Sequence, residues 1–302
     1  MSLIRAIALV VLAASAGPGP AAQQPPIYRA ESVYVSVYAS VKRGNRVIAN
    51  LTTSDFRLTD NGVVQKVEAV SIETVPIDVT LFLDTSGSTA GKLDEMKRDV
   101  QGILRMLRSG DRFRLLTIGD SVYQTVPWVV AGTKVDLSFE PVGGISLIQD
   151  ALTVALLHRP DPERRHLVVG MTDRQDCGSV VSSALLRELA GRSEAIVHLI
   201  EQSGGGETNS RVRTCSPTGR ADGSEIIKDA AERTGGELHT GTRLFRSSSL
   251  LREFRRIFDD FRQSYLLRYS PVGVKAPGWH AIEVAVPAVK DSNIRARKGY
   301  FG

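Results

Sequence analysis

The sequence predicts an α/β fold: a doubly wound, mostly parallel sheet with flanking all-β segments. Three observations predict it. Apolar strand-like runs alternate with stretches of helical period through the middle of the chain, which calls for crossover connections and a sheet buried on both faces. The runs before and after that region alternate with period two and are rich in β-branched and aromatic residues. Finally, 42% apolar and 24% charged side chains over 302 residues is ordinary globular composition, which excludes a disordered, collagen-like or coiled-coil chain.

Residues 1–22 read as a secretory signal: Arg5 supplies the positive charge, residues 6–14 the apolar run, and Ala14-Ser15-Ala16 or Ala21-Ala22 the cleavage point. That run is too short to span a bilayer, and no later apolar stretch reaches the roughly 18 residues a span needs. The expectation is an exported chain, periplasmic or secreted, without a stable membrane anchor. Residues 23–74 form a β segment, with an alternating strand over 33–41, a capped turn at 51–56 and a hairpin at Asp60-Asn61-Gly62 whose return strand covers 63–72. Residues 75–246 form the α/β core. Strands are expected at 77–83, 112–118, 124–130, 166–171, 195–200 and 237–239, and helices at 93–107, 147–157, 184–189 and 226–233. Residues 247–302 supply a C-terminal helix over 247–262, opened by Ser247-Ser248-Ser249, and a β tail with strands at 264–269, 279–286 and 293–301.

Charge and cysteine content narrow the function classes. The net +5 resides in the tail: residues 251–302 hold 10 basic and 5 acidic side chains, whereas 23–250 hold 27 and 28. Such a run is ordinarily a solvated face, and no nucleic-acid motif accompanies it, so no nucleic-acid partner is expected. Two cysteines exclude a Cys-rich scaffold and a four-cysteine zinc site. Cys177 and Cys215 fall on loops at one edge of the expected sheet. Export permits a disulfide between them, and two free thiols are the alternative.

The chemistry collects at strand ends. Asp84-Thr85-Ser86-Gly87-Ser88 directly follows the strand over 77–83, and its carboxylate and two hydroxyls can converge on one hard cation, Mg²⁺ or Mn²⁺. Ser146 precedes the helix over 147–157, and Asp173 ends the strand over 166–171. Taken singly, Ser88 and Ser146 read as helix caps and Thr172-Asp173 as a turn. Together they set hydroxyls and carboxylates on the edge where open α/β sheets bind ligands.

These residues resemble a von Willebrand factor type A domain, a Rossmann-like fold with a metal-ion-dependent adhesion site. Asp84, Ser86 and Ser88 match its D-x-S-x-S element in full, and Asp173 matches its last aspartate. Ser146-Leu147-Ile148-Gln149-Asp150-Ala151-Leu152 is similar to its Thr-x-Leu-x-Asp-Ala-Leu loop, with Ser in place of Thr. The family usually has Gly after the last aspartate; here Arg174 stands at the rim. Leu51-Thr52-Thr53-Ser54-Asp55-Phe56 with Asp60-Asn61-Gly62, and the ending Ile294-Arg295-Ala296-Arg297-Lys298-Gly299-Tyr300-Phe301, resemble an exported bacterial family built around such a domain. The resemblance implies that Asp84, Ser86, Ser88, Ser146 and Asp173 bind Mg²⁺ or Mn²⁺. It also implies a protein partner that presents an Asp or Glu to the metal. An enzyme is not expected. A haloacid-dehalogenase-like phosphohydrolase would need a second aspartate where Ser86 stands, and no G-x-S-x-G or H-E-x-x-H motif occurs. A metal-free structural scaffold is the remaining alternative.

Overall fold

The computed structural model describes residues 34–44, 46–85, 91–140, 146–158, 161, 163–173, 176, 178–201, 223–240, 250–275 and 277–302. The alternating run near the start is strand β1 (Val35–Arg43), which buries Val35, Val37, Ala39 and Val41 on one face. β2 (Arg46–Val47) folds back on it. A short 3-10 turn at Thr53–Asp55 is closed by the Asp55 carboxylate, which accepts the Thr52 N–H at 2.7 Å and its hydroxyl at 2.8 Å. Those bonds hold the Asp55 carboxyl below its ordinary pKa. β3 (Arg57–Asp60) and β4 (Val63–Gln65) make the expected hairpin, with Asn61 and Gly62 at φ of 48° and 78°. The return strand expected over 63–72 is divided. β4 stays beside β3, whereas β5 (Ala69–Ser71) pairs in a different sheet. Crossing between sheets at 66–68 buries Val67 in the core and lets the Glu68 N–H reach Arg268 O at 2.8 Å.

The α/β core follows as β6 (Ile77–Asp84), α1 (Leu93–Met106), β7 (Arg112–Ile118), β8 (Val122–Val130), α2 (Ile148–Leu156), β9 (Arg165–Thr172), α3 (Ser183–Arg192), β10 (Ile196–Glu201), α4 (Gly223–Arg233), β11 (Leu238–His239) and α5 (Leu250–Arg262). The sheet order is β11-β10-β9-β6-β7-β8. All pairings are parallel except β7–β8, which residues 119–121 connect; so short a link permits only a hairpin. Ile77, Val79, Leu81 and Leu83 of β6 pack against Met96, Val100 and Ile103 of α1 and Phe254, Ile257 and Phe258 of α5. Phe82, on the opposite face, packs in a second core with α2, α3 and α4. Helices therefore cover both faces. From β6 the chain moves outward to β7 and then returns to add β9 on the other side, so the connections diverge between β6 and β9 and leave a crevice at their C-terminal ends.

Gly170 of β9 lies directly across from Phe82 in the β6–β9 register. The phenyl ring occupies the space a side chain would need: a Cβ on Gly170 would lie 1.9 Å from Phe82 Cζ.

After α5 the chain returns to the β segment. β12 (Tyr265–Tyr269) and β14 (Asn293–Ala296) flank β1, and β5 lies beside β12. β13 (Trp279–Ala285), β15 (Gly299–Phe301), β3 and β4 form a second sheet in the order β15-β13-β3-β4. The expected last strand over 293–301 is thus also shared between two sheets. Val37, Leu58, Tyr265, Leu267, Tyr269 and Ile282 fill the space between these sheets. At its centre the buried Asp60 carboxylate accepts Tyr269 Oη at 2.7 Å and Tyr300 Oη at 3.1 Å, with His280 Nδ1 at 2.9 Å. The β layers are fixed to α5 by Asp260, which accepts Ser40 Oγ at 2.7 Å and pairs with Lys42 at 2.8 Å and with Arg295. Arg165 stacks between the rings of Tyr38 and Phe261, 4.3 and 4.0 Å from their centroids.

Candidate metal centre

β6 ends in a buried carboxylate. Asp84 is fully inaccessible and lies in register with Ile118, the last residue of β7. The strand stays in place one residue further: Thr85 donates its N–H to Ile118 O at 2.9 Å and its hydroxyl to the same oxygen at 3.0 Å. On the other side Leu83 is level with Met171, so Asp84 faces the end of β9 and Asp173 follows at the same edge. Asp173 is half-buried.

Ser146 reaches this edge from the opposite direction. Its hydroxyl donates to Asp84 Oδ2 at 3.0 Å, a buried contact across 62 positions of sequence. It does not cap the following helix. The cap position of α2 is Leu147, which makes no side-chain capping bond. A hydroxyl freed from capping and aimed at a buried carboxylate is what an oxygen-lined cation site needs from this loop. Thus Asp84 and Ser146 are in contact, and Asp173 lies on the adjoining strand end. Ser86, Ser88, Arg174, Cys177 and Cys215 lie outside the described residues, as does the segment 1–22.

The first donors of α2 are satisfied from another loop. Gln149 N–H donates to Asp176 Oδ2 at 2.7 Å and Asp150 N–H to Ser179 Oγ at 3.1 Å. Local sequence pattern cannot reveal this cap, because donors and acceptors lie some 30 positions apart. The acid at Asp150 within the Ser146 motif was its one visible trace.

Two further polar clusters lie away from this edge. At the N-terminal end of β6, the buried Asp78 accepts Arg112 Nε at 2.8 Å and Arg164 Nε at 2.5 Å, with His158 Nε2 at 3.3 Å. Burial alone would raise the Asp78 pKa, but the two guanidiniums outweigh it and hold the carboxyl below its ordinary range. A cavity of about 130 Å³ beside it is lined by Tyr38, His158, Arg164, Arg165 and His166 among others.

The second cluster is His198, Glu237 and His239, whose ligand atoms lie within 4.8 Å of one another. Arginine can only donate, so Arg256 at 2.7 Å from His239 Nδ1 fixes that nitrogen as an acceptor. His239 Nε2–H then donates to His198 Nδ1 at 2.9 Å, and Glu237 is occupied by Arg295 at 2.7 Å. Burial, then Arg256, Arg295 and Lys42, push the His239 pKa down to about 3, and burial likewise holds His198 well below its ordinary value. These are neutral, mutually bonded histidines in a positive field, an environment that opposes a cation.

No protein-family model matches the chain, and no curated protein matches it. Among solved structures it is similar to an aerotolerance-related membrane protein from Bacteroides fragilis, at 13% identity and TM-score 0.42 over 62% of this chain and 99% of that one. It is similar to the SpRpn10 VWA domain at 17% identity and TM-score 0.36, over 54% of this chain and 87% of that one. It is also similar to proximal thread matrix protein 1 from the mussel byssus, with a zinc-occupied MIDAS motif, at 16% identity and TM-score 0.42 over 66% of this chain and 48% of that one. Among the described residues, no helix is long and apolar enough to cross a membrane. Of these solved structures, that of SpRpn10 is a VWA domain and the mussel protein carries a MIDAS motif.

Proposed function

We propose that this chain is an exported protein-binding module that holds a divalent cation and, through it, an acidic side chain of a partner. The observation that carries the reading is the buried contact of Ser146 Oγ with Asp84 Oδ2 at 3.0 Å, at the C-terminal edge of the sheet where the connections from β6 and β9 diverge. Asp84, Ser146 and Asp173, with Ser86 and Ser88 of the same motif, make an all-oxygen donor set that suits Mg²⁺ or Mn²⁺. When bound, the cation supplies a concentrated positive charge at which a partner's Asp or Glu can complete the coordination shell. The protein's own part is electrostatic and positional: β6 holds Asp84 out of solvent, Ser146 orients its carboxylate, and Arg174 adds a positive charge beyond Asp173. Export rests on the composition of residues 1–22. A disulfide between Cys177 and Cys215 would tie two loops at this edge.

The test is retention of envelope proteins on the immobilised chain in Mg²⁺, in EDTA and with Asp84→Ala. A partner held in Mg²⁺ and released both by EDTA and by the variant is expected. Equal retention in all three conditions would sink the bridging mechanism.

A further inference from the structure

The loop from Asp173 to Ser182, the cap of α3, is bound at two points to the first turn of α2. Asp176 accepts the Gln149 N–H at 2.7 Å and the Ser179 hydroxyl at 2.7 Å on Oδ2, and the Ser179 N–H at 3.1 Å on Oδ1. Asp150 answers from the helix: Oδ1 accepts the Val181 N–H at 2.9 Å and Oδ2 the Val180 N–H at 3.1 Å. The Asp150 N–H in turn donates to Ser179 Oγ at 3.1 Å. Each aspartate thus reaches across to the backbone of the other segment. An α-helix leaves its first N–H groups without internal partners, and its positive end favours carboxylates. Here the loop supplies the missing acceptors, which explains why Leu147 needs no capping side chain.

The position of this latch matters more than its strength. Ser146 is separated from the capped donors only by Leu147 and Ile148, and Asp173 lies three residues before Asp176. The loop and helix being fastened are therefore those that bring Ser146 and Asp173 to the edge beside Asp84.

We propose that Asp150 and Asp176 are positioning residues for the cation site, fixing the spacing of Ser146 and Asp173 without touching the metal. The proposal rests on the cation reading above and deepens it. Without the latch, two of the ligand-bearing segments must be ordered when the ion binds, so affinity falls although every ligand is still present. Residues that orient metal ligands from behind typically affect affinity by about ten- to a hundredfold.

Titration calorimetry with Mn²⁺ on the full chain tests this, with wild type, Asp84→Ala, Asp150→Ala, Asp176→Ala and the conservative Asp176→Asn. The measurements are made well below each variant's melting temperature, so that a loss of global stability alone leaves the affinity unchanged. Uptake by wild type, none by Asp84→Ala, and a drop of about ten- to a hundredfold in both latch alanine variants are expected. Partial recovery in Asp176→Asn, which keeps an acceptor oxygen, is expected as well. Undiminished affinity in Asp150→Ala and Asp176→Ala, with Asp84→Ala inactive, overturns the latch alone. No uptake by wild type overturns the cation reading and the latch with it.

Discussion

Gly170→Ala tests how closely the two strands beneath the site are packed. The new Cβ would fall 1.9 Å from Phe82 Cζ and 2.3 and 2.4 Å from its Cε atoms, against an ordinary contact of at least 3.4 Å. The ring must therefore withdraw by about 1.5 Å, into a core where Phe82, Leu152, Val168 and Leu199 are fully buried. Overpacking of this kind costs about 1–3 kcal/mol, and the upper end applies because the neighbours offer no space. Phe82→Leu alone removes part of the ring and costs about 1.5 kcal/mol. If the clash is the mechanism, the changes compensate. The double variant should then be less destabilised than the sum of the singles by about 1–2 kcal/mol. Urea denaturation of wild type, both single variants and the double variant at neutral pH measures this. Additivity within about 0.5 kcal/mol would show that Gly170 is not there to make room for Phe82, and the reasoning would fail.

Two other predictions concern the buried charges and rings. The unfolded chain protonates its histidines near pH 6.5, whereas folded His239 does so only near 3 and burial holds His198 well below its ordinary value. Between those limits the unfolded state binds more protons, so stability is complete above about pH 6.5 and declines on acidification, by about 1.4 kcal/mol per pH unit for each histidine. Urea midpoints at descending pH should show that slope, less steep in His239→Gln; a flat profile from neutral to mildly acidic pH contradicts it. Asp78→Asn removes the charge that serves both Arg112 and Arg164, and should destabilise the chain by about 3 kcal/mol. Thermal unfolding reads this loss, and a change below about 0.5 kcal/mol, the size of an ordinary surface substitution, would mean that the guanidiniums find water instead.

How far the sequence could be read depended on whether a feature was local. β6 was legible because Ile77, Val79, Leu81, Phe82 and Leu83 precede Asp84 with turn chemistry directly after, and the strand and helix periods of the core are local properties. The Asn61-Gly62 hairpin was legible because only a few residue types tolerate its backbone. The divided strands were not. Residues 63–72 and 293–301 keep an extended pattern while crossing from one sheet to another, and alternation cannot show which sheet a residue joins. Within the candidate site, each candidate ligand carried a motif, but the contact of Ser146 with Asp84 and the cross-capping by Asp176 depend on how distant segments meet. A capping preference read from Ser146 alone makes its hydroxyl the acceptor of a backbone N–H, whereas it donates to Asp84.

The pairing of β1 has a consequence for the order in which the chain can be completed. Its neighbours, β12 and β14, come from the opposite end of the sequence, and Ser40 meets Asp260 across 220 positions. During synthesis β1 emerges with only the two-residue β2 to pair with and must wait for β12 and β14 until the whole α/β core has been made. Closing so long a loop is slow, and an apolar strand with unpaired edges is prone to pair with other chains meanwhile. A chain that is kept extended until its last residues are available avoids that interval, so delayed folding suits this topology better than folding from the first residue onward.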